Sequence, residues 1–325
     1  MSSVDQKPRK VVVATSMFGP YGQWPGLDKR LGELGELVDD MAASAARQDS
    51  PKTLDLAILT EDAVCGGSSG TAADRSVPLQ GEVLERMGAK ARQHRTYLVL
   101  PLFLREGNGS FSNAAVLLDR EGEVAGIYRK VHPVLGQEDD ILEGGVIPGR
   151  DFPVFTCDFG RVGIQICFDM VYDDGWESLA RQGAEIIAWP TQSPQTARTA
   201  SRALHGRYYV VSSTWRNTLS LFEPTGMPVA QVREPERLLV REIDLSYVLL
   251  SWSSQLRNGQ ALTERFGDRV GYRYYESEDR GLFWSNDPST SIGDMIRELD
   301  LEEVEAHIER NRRAQDAARS AVIPD

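Results

Sequence analysis

The chain has 325 residues, of which 41% are hydrophobic, and a formal net charge of −12. The hydrophobic share allows a large core, whereas the acidic balance argues against nucleic acid or an anionic membrane as a partner. An odd number of cysteines, three, does not suit a disulfide framework, and the absence of CxxC and HExxH motifs argues against a structural zinc site. The sequence shows no N-terminal signal pattern and no apolar run of the ~20 residues that a membrane span needs. We therefore expect a cytoplasmic protein.

The hydrophobic pattern predicts strands and helices in alternation over the first 245 residues. In chain order, the predicted strands are 10–16, 54–60, 96–104, 110–118, 124–129, 153–158, 162–166, 185–190 and 208–215, two short strands around 223–226, and 238–243. The predicted helices lie around 31–41 and at 79–95, 178–182 and 196–207. Alternation with a few antiparallel hairpins is typical of α/β layers in which helices cover the faces of sheets.

The last 80 or so residues differ in composition from the rest. No linker divides 1–245, so the sequence predicts one domain there and a C-terminal extension over 246–325. The second half of the extension, about 290–320, is predicted as one charged helix with an apolar strip. The strip consists of Ile292, Ile296, Leu299, Val304 and Ile308. We expect this helix to pack on the body or on a partner subunit.

Three chemically active residues follow directly after predicted strands. Glu61 follows an apolar run that ends at Thr60, Lys130 follows 123–129, and Cys167 follows 161–166. A thiol becomes a good nucleophile when a neighbouring base takes its proton, and a cation stabilises the oxyanion that forms when the thiol attacks. Each residue alone also has an ordinary structural explanation, as a core thiol or as a surface charge. Together they predict a base, an oxyanion donor and a nucleophile.

The residues around these three positions resemble the nitrilase superfamily, the carbon–nitrogen hydrolases, whose catalytic residues are Glu, Lys and Cys in that chain order. The likeness covers about 10–245 and favours the amidase-like branch over true nitrilases, which carry Trp-Glu after the Cys where this chain has Phe168-Asp169. The motifs that carry it are Leu59-Thr-Glu61, Tyr128-Arg-Lys-Val-His132, Gly163-Ile-Gln-Ile-Cys-Phe-Asp169, Gly183-Ala-Glu-Ile-Ile-Ala-Trp-Pro190 and Ser201-Arg-Ala-Leu-His-Gly-Arg-Tyr-Tyr-Val-Val211.

The resemblance implies a four-layer αββα sandwich that usually dimerises to extend the layers, so the expected assembly is a homodimer or a higher homo-oligomer. It also implies a thiol hydrolase that needs no cofactor. In it, Glu61 is the base and acid, Cys167 is the nucleophile, and Lys130 with the backbone N–H of Phe168 holds the oxyanion. A second Glu is expected in the loop after the Lys. Glu138 is the best match by spacing, and Asp139, Asp140 and Glu143 are alternatives.

The expected substrate is a small linear amide, hydrolysed with water. His132 is expected to brace the loop after Lys130, and Trp189 and Thr191 to line the pocket beside Phe168. The stretch 170–177 departs from the family pattern, since it lacks Pro and is longer, and it contains no Arg for a substrate carboxylate. Two alternatives remain open: an N-carbamoyl (ureido) amidohydrolase, and a non-catalytic scaffold with the same fold.

Overall fold

The structure is a computed structural model that describes residues 5–47, 52–136 and 140–322. These residues form two compact units. One unit is Val11–Ile243, and the other combines 5–10 with 244–322.

The secondary structure follows the predicted alternation, and most observed elements are shorter than their predicted counterparts. The strands are β1 Lys10–Ser16, β2 Leu56–Ile58, β3 Val77–Pro78, β4 Tyr97–Arg105, β5 Phe111–Leu118, β6 Val124–Arg129, β7 Val154–Thr156, β8 Arg161–Ile164, β9 Ile186–Pro190, β10 Tyr209–Ser213, β11 Thr218–Phe222, β12 Pro228–Arg233, β13 Leu238–Asp244, β14 Tyr247–Ser251, β15 Val270–Tyr275 and β16 Arg280–Ser285. The helices are α1 Leu27–Ala46, α2 Ala72–Arg75, α3 Glu82–His94, α4 Asp174–Arg181, α5 Thr196–Gly206, α6 Gln260–Phe266, α7 Ile292–Glu298 and α8 Val304–Val322.

The first large sheet has the strand order β13-β1-β2-β4-β5-β6, with β3 paired to β4. Strands β1, β2 and β4 are parallel, and β5 and β6 continue the sheet as antiparallel neighbours. Helices α1 and α3 cover its outer face, where Leu34, Val38 and Met87 pack against Ala57 and Leu98 in one apolar cluster. The apolar positions of α1 recur every three or four residues, which gives this helix a single buried face.

The second large sheet has the order β12-β11-β10-β9-β8-β7, with parallel pairing of β8, β9 and β10. Helices α4 and α5 cover its outer face through Trp176, Leu179 and Ala203. The inner faces of the two sheets are joined by hydrogen bonds such as Thr15 Oγ1 to the carbonyl of Ser212, 2.8 Å. The unit Val11–Ile243 therefore has the expected order of layers, helix, sheet, sheet, helix.

The other unit contains a three-stranded antiparallel sheet, β14-β16-β15, which the sequence did not predict. Its core holds Leu262 of α6, Phe283 of β16 and Met295 of α7. The single helix predicted for 290–320 is wrong, because the chain forms α7 and α8 with a break between them. Asp300 lies in that break in the left-handed region, with φ of 52°.

No helix in the described parts of the chain combines the length and the apolar character that crossing a membrane requires.

Candidate active site

Strand direction places Glu61 and Lys130 at the same edge of the first sheet. Strand β6 is antiparallel to β5, which is antiparallel to β4, so β6 runs in the same direction as β2 and β4. The carboxyl ends of β2 and β6 therefore lie on one side of the sheet. Glu61 follows β2 after a short extended stretch, Lys130 follows β6 directly, and both are almost fully buried, at 2% and 1% exposure.

Cys167 lies on a sharp corner after β8. It begins a 3₁₀ helix, Cys167–Val171, and its own backbone is in the left-handed region with φ of 44°. A non-glycine residue is strained there by about 1–3 kcal/mol, and such strain is concentrated at functional sites. The indole of Trp189 donates a hydrogen bond to the Cys167 carbonyl at 3.2 Å, which helps to hold the corner.

Lys130 is held between two carboxylates. Its Nζ lies 2.9 Å from Glu61 Oε1 and 2.6 Å from Glu143 Oε1. Asn113 of β5 donates to both acids, at 3.2 Å to Glu61 Oε1 and 2.8 Å to Glu143 Oε2. Glu61 Oε2 is buried and has no hydrogen-bond partner among the described residues. One oxygen of Glu61 thus fixes the lysine, and the other remains to accept a proton.

The second acid at the lysine is Glu143, thirteen residues after Lys130, which was only an alternative in the prediction from sequence. Glu143 also accepts from the backbone N–H of Val134 at 3.0 Å, so three donors fix its carboxylate. Glu138, the first choice by spacing, lies outside the described residues. Spacing along an irregular loop does not determine which side chain reaches the site.

Burial and charge set the protonation of the site. Burial favours a neutral Lys130, but the charges of Glu61 and Glu143, with a smaller contribution from Cys167, outweigh it and raise the pKa of the lysine. Burial, and then the charge of Glu61, raise the pKa of the Cys167 thiol to about 12, against the opposing effect of Lys130. The resting site therefore holds a charged lysine and a protonated thiol, and the thiol must lose its proton to attack.

A buried acid, Asp169, links the Cys167 corner to the end of β6. Its Oδ2 accepts from the backbone N–H of Ile166 at 2.9 Å and from the Tyr128 hydroxyl at 2.7 Å. Its Oδ1 accepts from the backbone N–H of His132 at 2.9 Å and lies 3.1 Å from His132 Nδ1. That hydrogen bond raises the pKa of His132 although partial burial opposes it. These two contacts hold the loop that follows Lys130 against Asp169.

The three residues open onto one cavity of about 460 Å³. Its lining residues are Glu61, Asp62, Gly67, Ser68, Arg75, Phe103, Asn113, Lys130, Val134, Glu143, Cys167, Gln192 and Trp215. Phe168, His132, Trp189 and Thr191, which the sequence predicted in or beside the pocket, are not among them, and neither is any residue of 170–177. Trp189 and Thr191 are fully buried, and the Thr191 hydroxyl hydrogen-bonds the thiol and lowers its pKa slightly.

Several residues of this site carried no motif that sequence reasoning recognised. Asn113 is a polar residue inside the apolar strand β5, and that interruption was the available signal. Asp62 and Arg75 lie on separate loop and helix segments that only the fold brings together. Within the described residues, no group of three or more His, Cys, Asp or Glu is arranged to hold a metal ion.

The fold and this site define the class of protein to which the chain is similar. Nit3 of Saccharomyces cerevisiae, a nitrilase superfamily member, superimposes with a TM-score of 0.62 at 18% identity, covering 75% of this chain and 92% of that one. An amidase from Nesterenkonia superimposes with a TM-score of 0.58 at 20% identity, covering 74% and 91%. At these identities the likeness shows the fold alone.

The family model described as carbon-nitrogen hydrolase matches residues 25–250, more than half of the chain. The chain therefore belongs to the carbon–nitrogen hydrolase family, as its motifs predicted.

Two similar curated proteins are amidases by name, and a third is a citrullinase. Deaminated glutathione amidase of Homo sapiens is 28% identical over 202 residues, which cover 53% of this chain and 61% of that protein. Omega-amidase of Xenopus tropicalis is 23% identical over 196 residues, covering 52% and 69%. Citrullinase of Francisella tularensis is 33% identical over 107 residues, covering 31% and 36%. The chain thus matches less than two thirds of the length of the human relative.

Proposed function

We propose that this protein hydrolyses the C–N bond of a small linear amide through a Cys167 thioester. The observation that carries the proposal is the buried Lys130, fixed by Glu61 and Glu143 in the cavity that also holds the thiol. A buried cation with two carboxylate partners is costly to assemble, and its use here is to stabilise negative charge that develops during the reaction. The amidase relatives support the same chemistry.

The first half of the reaction forms the thioester. Glu61 takes the thiol proton on Oε2 as the Cys167 sulfur attacks the amide carbon. The oxyanion of the tetrahedral intermediate is held by Lys130 Nζ and the backbone N–H of Phe168. When the intermediate collapses, the C–N bond breaks, and the leaving nitrogen takes the proton from Glu61 and departs as ammonia or an amine.

The second half releases the acid. A water molecule gives a proton to Glu61 and attacks the thioester carbon, and Lys130 again stabilises the oxyanion. Collapse breaks the C–S bond, the proton on Glu61 returns to the sulfur, and the carboxylic acid leaves. The high pKa of the thiol fits this scheme, because the proton moves to Glu61 during attack rather than before it.

Removal of the nucleophile tests the proposal. Cys167→Ala is expected to lower ammonia release from a panel of small amides by at least about 10³-fold. Cys157→Ala is the matched control, since Cys157 lies in the turn between β7 and β8 and does not line the cavity. Equal ammonia release by the native protein and Cys167→Ala would contradict the proposal and favour the non-catalytic scaffold.

Alkylation adds a readout that does not need the right substrate. Iodoacetamide is expected to label Cys167 faster than Cys65 or Cys157, both of which are buried. Loss of the Glu61 charge by itself lowers the pKa of the Cys167 thiol and favours faster labelling. Glu61→Gln must therefore slow labelling despite that effect if Glu61 takes the thiol proton during attack. Unchanged labelling in Glu61→Gln would remove that role.

A second candidate is an N-carbamoyl amidohydrolase, favoured by the similarity to a citrullinase over 107 residues. Ureido compounds belong in the same panel. Hydrolysis of their terminal carbamoyl group releases carbon dioxide as well as ammonia, whereas hydrolysis of a simple primary amide releases ammonia alone. Measuring both gases therefore separates the two candidates.

A further inference from the structure

A second cation lines the cavity besides the catalytic lysine. Arg75, at the end of the short helix α2, forms an ion pair with Asp62, the residue after Glu61. Its guanidinium lies over the ring of Phe103, 4.5 Å from the centroid, and that ring also lines the cavity. The arginine is thus held against one wall of the cavity that contains the thiol.

The ion pair leaves two buried polar atoms unused. Arg75 and Asp62 meet through one nitrogen, Nη2, and one oxygen, Oδ2. Arg75 Nε and Asp62 Oδ1 are buried and have no hydrogen-bond partner among the described residues. An arginine satisfies a carboxylate best through two parallel hydrogen bonds, so this contact is incomplete on both sides. Asp62 is itself only 4% exposed.

The charges lining the cavity indicate what Arg75 is available to bind. Lys130 is already committed to Glu61 and Glu143, and the remaining described lining residues other than Asp62 carry no charge. A ligand with a carboxylate is attracted to Arg75 and repelled by the acids at the reacting end. That arrangement orients such a molecule with its carboxylate on Arg75 and leaves its other end for the thiol.

We propose that Arg75 and Asp62 form a subsite for a carboxylate at the non-reacting end of the substrate, and that Asp62 yields Arg75 to that carboxylate when substrate binds. The proposal rests on the proposed function and narrows it to amides that carry a free carboxylate. Arg75 then makes the two-point contact that Asp62 does not provide. Asp62, left beside a second anion, takes up a proton and donates it in a hydrogen bond to the bound carboxylate.

The surroundings of Asp62 favour this proton uptake. Burial raises the pKa of Asp62 to about 7 even with Arg75 in place, since the charge of Glu61 adds to the effect and Arg75 and Arg30 oppose it. Cys65, the other titratable neighbour, stays a neutral thiol because burial and Asp62 raise its pKa to about 11. Loss of Arg75 to a ligand raises the pKa of Asp62 further. Carboxylate binding is therefore strongest below pH 7 and weakens as the pH rises through about 7, where free Asp62 loses its proton.

Paired amides of matched shape test the subsite by kinetics. Succinamate carries a carboxylate where butanamide carries a methyl group. Arg75→Gln is expected to lower kcat/KM for succinamate by about 100-fold and to leave butanamide within about 3-fold. Arg86→Gln, which removes an arginine on α3 that pairs with Asp28 outside the cavity, is the control and should change neither. If the ratio of kcat/KM for succinamate to kcat/KM for butanamide is unchanged in Arg75→Gln, the proposed subsite is wrong.

A binding measurement keeps the test independent of turnover. Calorimetric titration of succinamate into Cys167→Ala at pH 8, in two buffers of different ionisation enthalpy, is expected to show uptake of about one proton per ligand. Adding Asp62→Asn should abolish the uptake but keep binding, and adding Arg75→Gln should abolish binding. Binding of succinamate no tighter than butanamide would overturn the proposal. Arg75-dependent binding in a protein that hydrolyses no amide would refute the proposed function alone.

Discussion

At the scale of single residues, the site depends on a lysine that is almost completely enclosed by its partners. A buried ammonium without a counter-charge would lose its proton or destabilise the fold. Removing one partner of a buried ion pair lowers the free energy of unfolding by about 3–5 kcal/mol. Glu61, Glu143 and Asn113 together supply the charge and the hydrogen bonds. The same contacts hold the ammonium of Lys130 in one position in the cavity, so the stability of the fold and the proposed chemistry depend on the same atoms.

Glu143 is therefore expected to matter for turnover, and Glu138 serves as its matched control. Glu143→Gln removes the charge but not the volume, so Lys130 should be less well fixed, and kcat should fall by about 100-fold. Urea denaturation should show a loss of about 1–3 kcal/mol. Glu138→Gln should leave both quantities nearly unchanged. A larger loss of kcat in Glu138→Gln than in Glu143→Gln would contradict this assignment.

The sequence located three members of the site and not the rest, for a physical reason. Glu61, Lys130 and Cys167 follow strands, whose periodicity and direction are visible in the residue pattern. Glu143 and Arg75 reach the cavity from a loop and from a four-residue helix, where side-chain position depends on long-range packing. Asn113 is a polar residue within an apolar strand, and that pattern marks it as a candidate. No such pattern marks Glu143 or Arg75.

At the scale of elements, Asp169 holds the segment that carries Cys167 in a fixed position relative to the segment that carries Lys130. One oxygen binds the residue before Cys167, and the other binds the residue two after Lys130. The strained backbone at Cys167 is therefore tied to the loop that follows Lys130. A loss of this link should change the geometry of attack more than the binding of substrate.

Asp169→Asn tests that link. In Asp169→Asn, an NH₂ group replaces one of the two carboxylate oxygens. That group is a donor and faces N–H or O–H donors, so hydrogen bonds on that side are lost. We expect kcat to fall by about 100-fold while KM changes by less than about 3-fold. Asp174→Asn is the control, since Asp174 is exposed and lies 3.4 Å from the other nitrogen of His132. A rise in KM with kcat intact would assign Asp169 to substrate binding instead.

The elements of the C-terminal unit were the least predictable from sequence. Strand β15 carries Tyr272, Arg273 and Tyr274 in succession, all half-buried, so it lacks the alternation that reveals a strand. The break between α7 and α8 contains neither Gly nor Pro, and Asp300 adopts the left-handed conformation there. Ile308, expected on the apolar strip, is 39% exposed. The local residue pattern therefore predicted a helix across this region but did not reveal the break after α7.

At the scale of the whole molecule, dimerisation stays a prediction from the family resemblance. Extension of the layers requires a helix layer of one copy to meet the same layer of another, which is the self-complementary contact of a two-fold dimer. The layer of α4 and α5 holds an open groove of about 470 Å³, with Trp176 and Tyr208 in its wall. We place the contact there.

A charge on that layer should separate the copies. Ala180 of α4 lines the groove, and in a two-fold dimer Ala180→Glu brings two carboxylates near each other across the axis. Light scattering should give twice the chain mass of 36.1 kDa for the native protein and the single mass for Ala180→Glu. Ala89→Glu on α3, an exposed helix position over the first sheet, is the control and should stay dimeric. A monomeric Ala89→Glu with a dimeric Ala180→Glu would move the interface to the helix layer of the first sheet.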